Sequence, residues 1–110
     1  MLKLPADVRV HLALEPCDMR KQFDGLAALV LSSLGERAES GDLYIFCNRR
    51  GDMVKALFHD RHGYCLLAKR LEKGSFRIDV GGASAGGVEI SAAELGLLLS
   101  ELSLVRTQPT

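Results

Sequence analysis

The residues best suited to chemistry are the basic side chains in the middle of the chain. Between Asn48 and Arg77, eight Lys and Arg residues stand against three Asp and Glu residues, a net charge of +5. The rest of the chain, with six basic and eleven acidic residues, carries −5. Arg forms bidentate contacts with phosphate and Lys supplies a point charge, so this segment favours contact with a nucleic-acid backbone. The alternative interpretation is a solvated face whose charges protect edge strands from aggregation.

A second basic pair, Arg20 and Lys21, directly follows Asp18, a good candidate to cap a helix. Cations in the first turn of a helix oppose its macrodipole, and such violations of local rules are most frequent at functional sites. Free helix amides together with two cations would attract phosphate. The alternative is that Asp18 and Asp24 neutralise the pair locally.

Metal and catalytic motifs are weak or missing. His59, His62 and Cys65 form an H-x-x-H-x-x-C string, with Cys47 as a possible fourth ligand. The spacing is poor for a closed zinc site, and packing of the cysteines in a sheet is the better interpretation. The chain has no phosphate-binding loop, dinucleotide fingerprint, nucleophile elbow or H-E-x-x-H motif. Four aspartates could in principle form a metal-binding cluster, but turns separate them and nothing in the sequence shows that they converge: Asp42, Asp52, Asp60 and Asp79. We therefore expect no enzymatic activity, no cofactor and no metal.

The first elements that would position these residues are a strand and a helix. Alternating apolar and polar residues predict a strand over Val8–Leu14. Apolar residues at helical spacing predict a helix from the Asp18 cap to Gly35, a typical residue after a helix end. Leu29 and Leu31 widen its apolar face, so we expect a helix sandwiched between other elements.

Strand-like segments follow in quick succession after the polar loop Glu36–Gly41. Short loops that end in Gly separate the first three, as in hairpins. Parallel pairing would need longer connections than these, so the pattern predicts an antiparallel meander. Its segments are Asp42–Cys47, Met53–Asp60, Tyr64–Leu71 and Phe76–Val80.

The last third of the chain predicts a glycine-rich loop, Gly81–Gly87, and a second helix. Ser91 and Glu94 have the spacing of a capping box. The helix has an apolar side broad enough for an interface or a homodimer, with Leu95, Leu97, Leu98, Leu99, Leu102 and Leu104. The polar tail, about 106–110, is expected to fray. The predicted fold is α+β, a small antiparallel meander of four or five strands with two packed helices.

Length and composition restrict the class of protein. The chain has 110 residues, 47% of them hydrophobic, which suits a single domain over residues 1–110. A net charge of zero argues against a uniformly basic protein that coats DNA. Lys3, Pro5, Asp7 and Arg9 interrupt any signal peptide, and the longest apolar run is too short for a membrane span. Three cysteines without a CxxC pair suggest reduced thiols, so a cytoplasmic protein is expected.

Four blocks in the chain resemble a known family. Residues 18–26 are similar to its D-M-R-K-x-F-D-G-L element, and residues 41–55 to its G-x-L-F-V-F-x-x-R-x-G-D-x-V-K block. Residues 64–76 resemble its L-x-L-x-x-K-R-L-E-x-G-x-F block, and Ile90 to Leu102 its closing helix. Order and spacing agree from residue 4 to about 104. The family is the TnpB-type accessory protein of the insertion sequence 66 group of bacterial transposable elements.

The resemblance implies a small protein that assists a separate, larger transposase and has no assigned catalytic activity. Family members usually carry Trp, and this chain has none. Most of the basic residues lie inside the shared blocks, which strengthens their case as DNA contacts. The predicted nucleic-acid-binding residues are Arg20, Lys21, Arg49, Arg50, Lys55, Lys69, Arg70 and Lys73.

Two hypotheses from different classes follow. In the first, the protein is an accessory subunit that grips the ends of the element through phosphate contacts. In the second, it is an interaction module that docks on the transposase or another protein of the element without binding DNA. An enzyme, either a nuclease or a metal hydrolase, ranks behind both. Basic residues on one contiguous surface would favour the first hypothesis, and scattered ones the second.

Overall fold

A computed structural model describes residues 7–79, 86–101 and 103–105. Within these residues, seven strands, two α-helices and one 3-10 helix succeed one another. Their bounds, in chain order, are β1 Val10–Ala13, α1 Phe23–Leu34, the 3-10 helix Ala38–Ser40, β2 Leu43–Cys47, β3 Met53–His59, β4 Tyr64–Arg70, β5 Arg77–Asp79, β6 Gly87–Ile90, α2 Ala92–Glu101 and β7 Ser103–Val105.

The main sheet has five strands in the order β4-β3-β2-β1-β6. Strands β2, β3 and β4 form the predicted antiparallel meander, which confirms the α+β assignment. Strand β6 is antiparallel to β1, but β1 and β2 are parallel. The prediction of a purely antiparallel sheet is therefore wrong for this pair. The connection from β1 to β2 contains α1, and it is long enough for the crossover that parallel pairing needs.

The expected fourth strand of the meander is a second correction. Instead of continuing the main sheet, β5 pairs in parallel with β7 in a separate two-stranded sheet, with Ile78 opposite Leu104. The chain leaves the meander because Phe76 is buried and its N–H donates to the carbonyl of Gly51. Val80, the last residue of the predicted strand, lies outside the described residues.

The glycine-rich segment is part loop and part strand. Residues 81–85 lie outside the described part of the chain, but Gly87 begins β6, so the predicted loop extends one residue too far. Gly86 and Gly87 press against the end of α1: a Cβ at Gly86 would come within 2.3 Å of the Ser33 carbonyl oxygen. These glycines therefore allow a close approach between the sheet and α1.

The sheet is covered on both faces. Residues opposite one another on paired strands share a face, and successive residues alternate. One face packs with α2 around Leu12, Ile45 and Leu98. The other packs with α1 around Tyr44, Phe46 and Leu57. These are called below the α2 face and the α1 face.

Helix α1 begins later than predicted. Gln22 is its N-cap, so Asp18 is not the cap and Arg20 and Lys21 precede the helix. Its end is as predicted, with Gly35 in the left-handed region at φ 66°. Leu26 and Val30 are buried, but Leu31 is 66% exposed. The expectation of a sandwiched helix is therefore wrong, because α1 packs only on its sheet side.

Helix α2 confirms the capping box. The N–H of Ser91 donates to Glu94 Oε1 at 2.9 Å, and the N–H of Glu94 donates to Ser91 Oγ at 3.0 Å. Leu95 and Leu98 are buried, which leaves a narrower outer face than predicted. Leu104 belongs to β7, not to the helix, while Leu102 and the predicted frayed tail 106–110 lie outside the described residues. In the described part of the chain, no helix has the length and apolar character to cross a membrane.

Gly86→Ala should destabilise the protein, by about 1–3 kcal/mol, because its Cβ would overlap a backbone oxygen of α1. Gly96→Ala is the matched control: it lies in α2 with open space around its Cβ and should stabilise by about 0.5–1 kcal/mol. Urea unfolding followed by circular dichroism measures both. Equal effects of the two variants would contradict the close approach of Gly86 to α1.

Candidate nucleic-acid interface

The turn between β2 and β3 is held by the side chain of Asn48. Its Oδ1 accepts the N–H groups of Asp52 at 3.0 Å and Met53 at 3.1 Å, and its Nδ2 donates to Asp52 Oδ1 at 2.6 Å. The N–H of Gly51 donates to the Asn48 carbonyl, and Gly51 adopts φ 74°. Arg49 and Arg50 are exposed at the tip. The turn therefore presents two guanidinium groups from a backbone that hydrogen bonds hold in one conformation.

The end of β4 and the following turn lie beside this tip. The N–H of Leu71 donates to the Asp52 carbonyl at 2.8 Å, which brings Arg70 to the same end of the sheet. The hydrogen bond from Asn48 holds the pKa of Asp52 below its usual range, and the charges of Arg50 and Arg70 contribute. Lys73 is exposed in the turn that leads to Phe76. Two predicted DNA contacts, Arg50 and Arg70, thus lie close enough to the Asp52 carboxylate to stabilise its charge.

A third segment, residues 17–22, reaches the same end from the α1 face; we call it the basic loop. The N–H of Cys17 donates to the Cys47 carbonyl at 2.8 Å, directly beside Asn48. Asp18 Oδ1 accepts the N–H of Arg20 at 2.9 Å, and Asp18 Oδ2 accepts from the Arg20 guanidinium at 2.7 Å. The alternative that Asp18 neutralises this pair is therefore supported for Arg20. Lys21 is exposed.

Lys55 is not at the surface. It is only 3% exposed, and its Nζ donates to the carbonyl oxygens of Met19 and Lys21, both at 2.8 Å. Its alternation in β3 places it opposite Phe46 on the α1 face, under the basic loop. An enclosed ammonium with two backbone acceptors is a structural anchor, so Lys55 is left out of the exposed basic set. The sequence carries a signal for this, because Lys55 stands alone among apolar residues of a central strand.

Lys69 and Arg70 are neighbours in sequence but point to opposite faces. Arg70 is opposite Met53 and lies on the α1 face; Lys69 is opposite Val54 and lies on the α2 face. The ammonium of Lys69 donates to the Leu99 carbonyl near the end of α2 at 2.5 Å. The structure thus separates two of the eight predicted residues from the rest. Six exposed cations share one end of the sheet, called here the basic end: Arg20, Lys21, Arg49, Arg50, Arg70 and Lys73.

The residues of the zinc hypothesis have other contacts. The rings of His59 and Tyr64 meet edge to face at 4.8 Å, and the Cys65 thiol lies 3.8 Å from Asp60 Oδ2. Asp60 Oδ1 accepts the N–H groups of His62 and Gly63, which lower its pKa. Within residues 7–79, 86–101 and 103–105, no group of three or more His, Cys, Asp or Glu side chains is arranged to hold a metal ion.

A buried histidine and a half-buried aspartate form a polar pair that is not predicted from the sequence. His11 Nε2 and Asp42 Oδ2 are 2.9 Å apart, and the His11 ring stacks on Tyr44 at 4.9 Å. The Tyr44 hydroxyl donates to the Arg37 carbonyl at 2.9 Å. These bonds join β1, β2 and the 3-10 helix on the α1 face, away from the basic end. The sequence contains one indication of this pair, because His11 is the only polar residue of β1.

The fold and the site define a small α+β protein with a two-sided core and a basic end built from turns. The family model described as IS66 Orf2 like protein matches residues 8–109. The chain belongs to this family, which gives it an accessory role in the transposition of IS66-type insertion sequences.

Two relatives come from Sinorhizobium fredii. The uncharacterized protein y4hO is 36% identical over 110 residues, which cover 100% of this chain and 94% of that protein. The uncharacterized protein y4jC is 32% identical over 101 residues, 92% of this chain and 85% of that protein. No solved structure matches the chain.

Lys55→Met should destabilise the protein by about 2–3 kcal/mol, because it removes two charge-assisted hydrogen bonds and leaves two carbonyls without their donor. Lys73→Met, an exposed position at the same end, should change the free energy of unfolding by less than about 0.5 kcal/mol. Urea unfolding at neutral pH measures both. A Lys55→Met variant as stable as Lys73→Met would show that the anchor contributes nothing.

The Asp18–Arg20 pair predicts a specific acid dependence. Hydrogen bonds from Arg20 lower the pKa of Asp18 from 3.8 to about 2. A carboxyl whose pKa is lower in the folded protein stabilises it at neutral pH, and this contribution is lost as the pH falls from 3.8 to about 2. Asp18→Asn should therefore be less stable than the native chain at pH 7 and equal to it at about pH 2. A stability difference between the two proteins that stays constant over this pH range would contradict the prediction.

Proposed function

We propose that this accessory protein binds DNA of its element through the basic end, while the transposase performs the chemistry. The observation that supports the proposal is the convergence of six exposed cations from three separate segments on one end of the sheet. This convergence supports DNA binding over a docking module; Lys55 and Lys69 lie apart from it.

The kind of contact follows from the side chains. Exposed Arg and Lys on hydrogen-bonded turns suit phosphate oxygens, which position a protein on DNA without reading its sequence. Because hydrogen bonds already order the Asn48 turn, little backbone conformational entropy is lost when Arg49 and Arg50 bind. The proposed contact is therefore with the backbone, and the choice of element ends would come from the transposase.

The charge of the rest of the chain supports one orientation. The segment from Asn48 to Arg77 carries +5 and the remainder carries −5. A phosphate backbone attracts the first and repels the second, within a screening distance of about 8 Å at physiological salt. Since four of the six cations of the basic end belong to the positive segment, we propose that DNA meets the protein at this end, which a net charge of zero permits.

Arg49→Ala with Arg50→Ala should weaken binding to duplex DNA and flatten its salt dependence. Each lost phosphate contact changes the slope of log K against log salt by about 0.9, so the double variant should lose about 2 from the slope. Fluorescence anisotropy with a labelled element-end duplex at several salt concentrations measures this.

Arg61→Ala is the matched control, since Arg61 is exposed in the turn at the other end of β4. It should keep both the affinity and the slope of the native protein. No binding by the native protein at low salt, or equal losses in both variants, would overturn the proposal.

A second candidate function is docking on the transposase or another protein of the element. It is favoured by Phe23 and Leu31, two apolar side chains of α1 that are 44% and 66% exposed. Together with Ala27 they recur every four residues and form an apolar stripe. Phe23→Ser with Leu31→Ser should then abolish co-purification with the transposase while DNA binding persists. Unchanged co-purification would remove this candidate.

A further inference from the structure

Strand β4 is an edge of the main sheet, and its outer backbone groups are open. The bonds Leu71 to Asp52 and Asp60 to Gly63 set the phase of its pairing with β3. In an antiparallel ladder, the residues whose backbone groups bond to the neighbouring strand alternate with those whose backbone groups point away from it. The N–H and C=O groups of residues 65, 67 and 69 therefore bond to β3, and those of residues 64, 66, 68 and 70 point outward, away from the sheet. No further backbone hydrogen bond reaches the outward residues from the described part of the chain.

The side chains at the centre of β4 also do nothing to prevent pairing with another strand. Edge strands are usually blunted by charges, prolines or bulges, or are short. Strand β4 is seven residues long without a proline, and its middle residues are Leu66, Leu67 and Ala68. Leu67 is 51% exposed on the α2 face. Its two charges, Lys69 and Arg70, are both at one end.

We propose that β4 pairs with β4 of a second copy of this chain, antiparallel, about a two-fold axis at Leu67. Leu66 then lies opposite the partner's Ala68, and Tyr64 opposite the partner's Arg70. Among two-fold registers, this one uses all four outward-facing residues of each strand. It joins the two five-stranded sheets into one continuous sheet.

The charges of the strand ends are complementary in this register. The Tyr64 hydroxyl donates to Glu39 Oε2 at 3.3 Å, so the partner's Arg70 would come alongside that carboxylate. Cys65 contacts Asp60 Oδ2, so the partner's Lys69 would approach that carboxylate on the other face. Each cation thus meets an acidic contact and no like charge lies directly opposite. A shift of two residues on each strand, by contrast, places Lys69 opposite the partner's Lys69.

This self-complementarity identifies a second copy as the occupant. A two-fold axis brings the acidic side chains near the start of β4 in one copy next to Lys69 and Arg70 at the end of β4 in the other. The same contact forms a second time by symmetry. The inference rests on the edge strand β4 and on the neighbouring carboxylates of Glu39 and Asp60, and it does not require DNA binding. A contact of two single strands is small, so we expect a weak dimer in rapid exchange with the monomer.

Ala68→Pro tests the backbone contact. The N–H of Ala68 faces outward, so proline removes a donor between copies without removing one to β3, and proline is tolerated on edge strands. Sedimentation equilibrium over a concentration series should show the native protein approaching twice the monomer mass and the variant remaining a monomer. Leu97→Ala, an exposed leucine on α2, should dimerise like the native protein.

Leu67→Cys in a Cys65→Ser background tests the register. Residues on the axis form a non-hydrogen-bonded pair with Cα atoms about 4.5 Å apart, within the range of a disulfide. Oxidised glutathione, reduced as the two thiols join, should convert this variant to a covalent dimer. Lys73→Cys in the same background, outside the paired strands, should stay a monomer.

Circular dichroism and urea unfolding show whether Ala68→Pro is folded, and the cross-link provides a readout in a variant that keeps the backbone donor. A native protein that is monomeric up to about 1 mM would overturn the proposal. So would a dimer that persists in folded Ala68→Pro, or equal cross-linking at positions 67 and 73.

Discussion

The buried ammonium of Lys55 is the interaction on which the basic end depends. A charge enclosed by protein is costly unless it is neutralised or hydrogen-bonded, and here two backbone carbonyls of the basic loop supply the acceptors. Because these acceptors belong to Met19 and Lys21, the loop must lie across β3 on the α1 face. The need of the Lys55 ammonium for hydrogen-bond acceptors thus determines the path of residues 17–22.

That path explains why α1 begins at Phe23 and not at Met19. With two of its carbonyls directed at Lys55, the basic loop bends across the sheet before the helix starts. Asp18 then has no helix amides to cap, and it accepts the backbone and side-chain N–H groups of Arg20. The apparent conflict between Arg20, Lys21 and the helix dipole does not arise, since neither residue is in the first turn.

Local patterns predicted the local parts of the fold. The hairpins of β2, β3 and β4, the glycine end of α1 and the Ser91 capping box depend on residues close in sequence, and all are confirmed. The errors in strand pairing concern residues distant in sequence, and the Asp18 cap fails because a distant side chain, Lys55, binds the backbone of residues 19 and 21. The parallel contact of β1 with β2 and that of β5 with β7 need connections whose path no local pattern records. The basic turn was predictable from its residue types, whereas the burial of Lys55 required knowledge of its strand phase and of the loop above it.

Strand phase also gives the sequential pair Lys69-Arg70 two different roles. Alternation sends Arg70 to the α1 face beside the basic loop and Lys69 to the α2 face, where its ammonium donates a hydrogen bond to the Leu99 carbonyl. A run of basic residues in a strand is therefore not one patch, and its charge divides between the faces of the sheet. Charged residues in turns are not divided in this way, because strand alternation does not assign their side chains to either face of the sheet. The basic end is accordingly built mainly from turns and a loop, and the strands contribute little more than Arg70 to it.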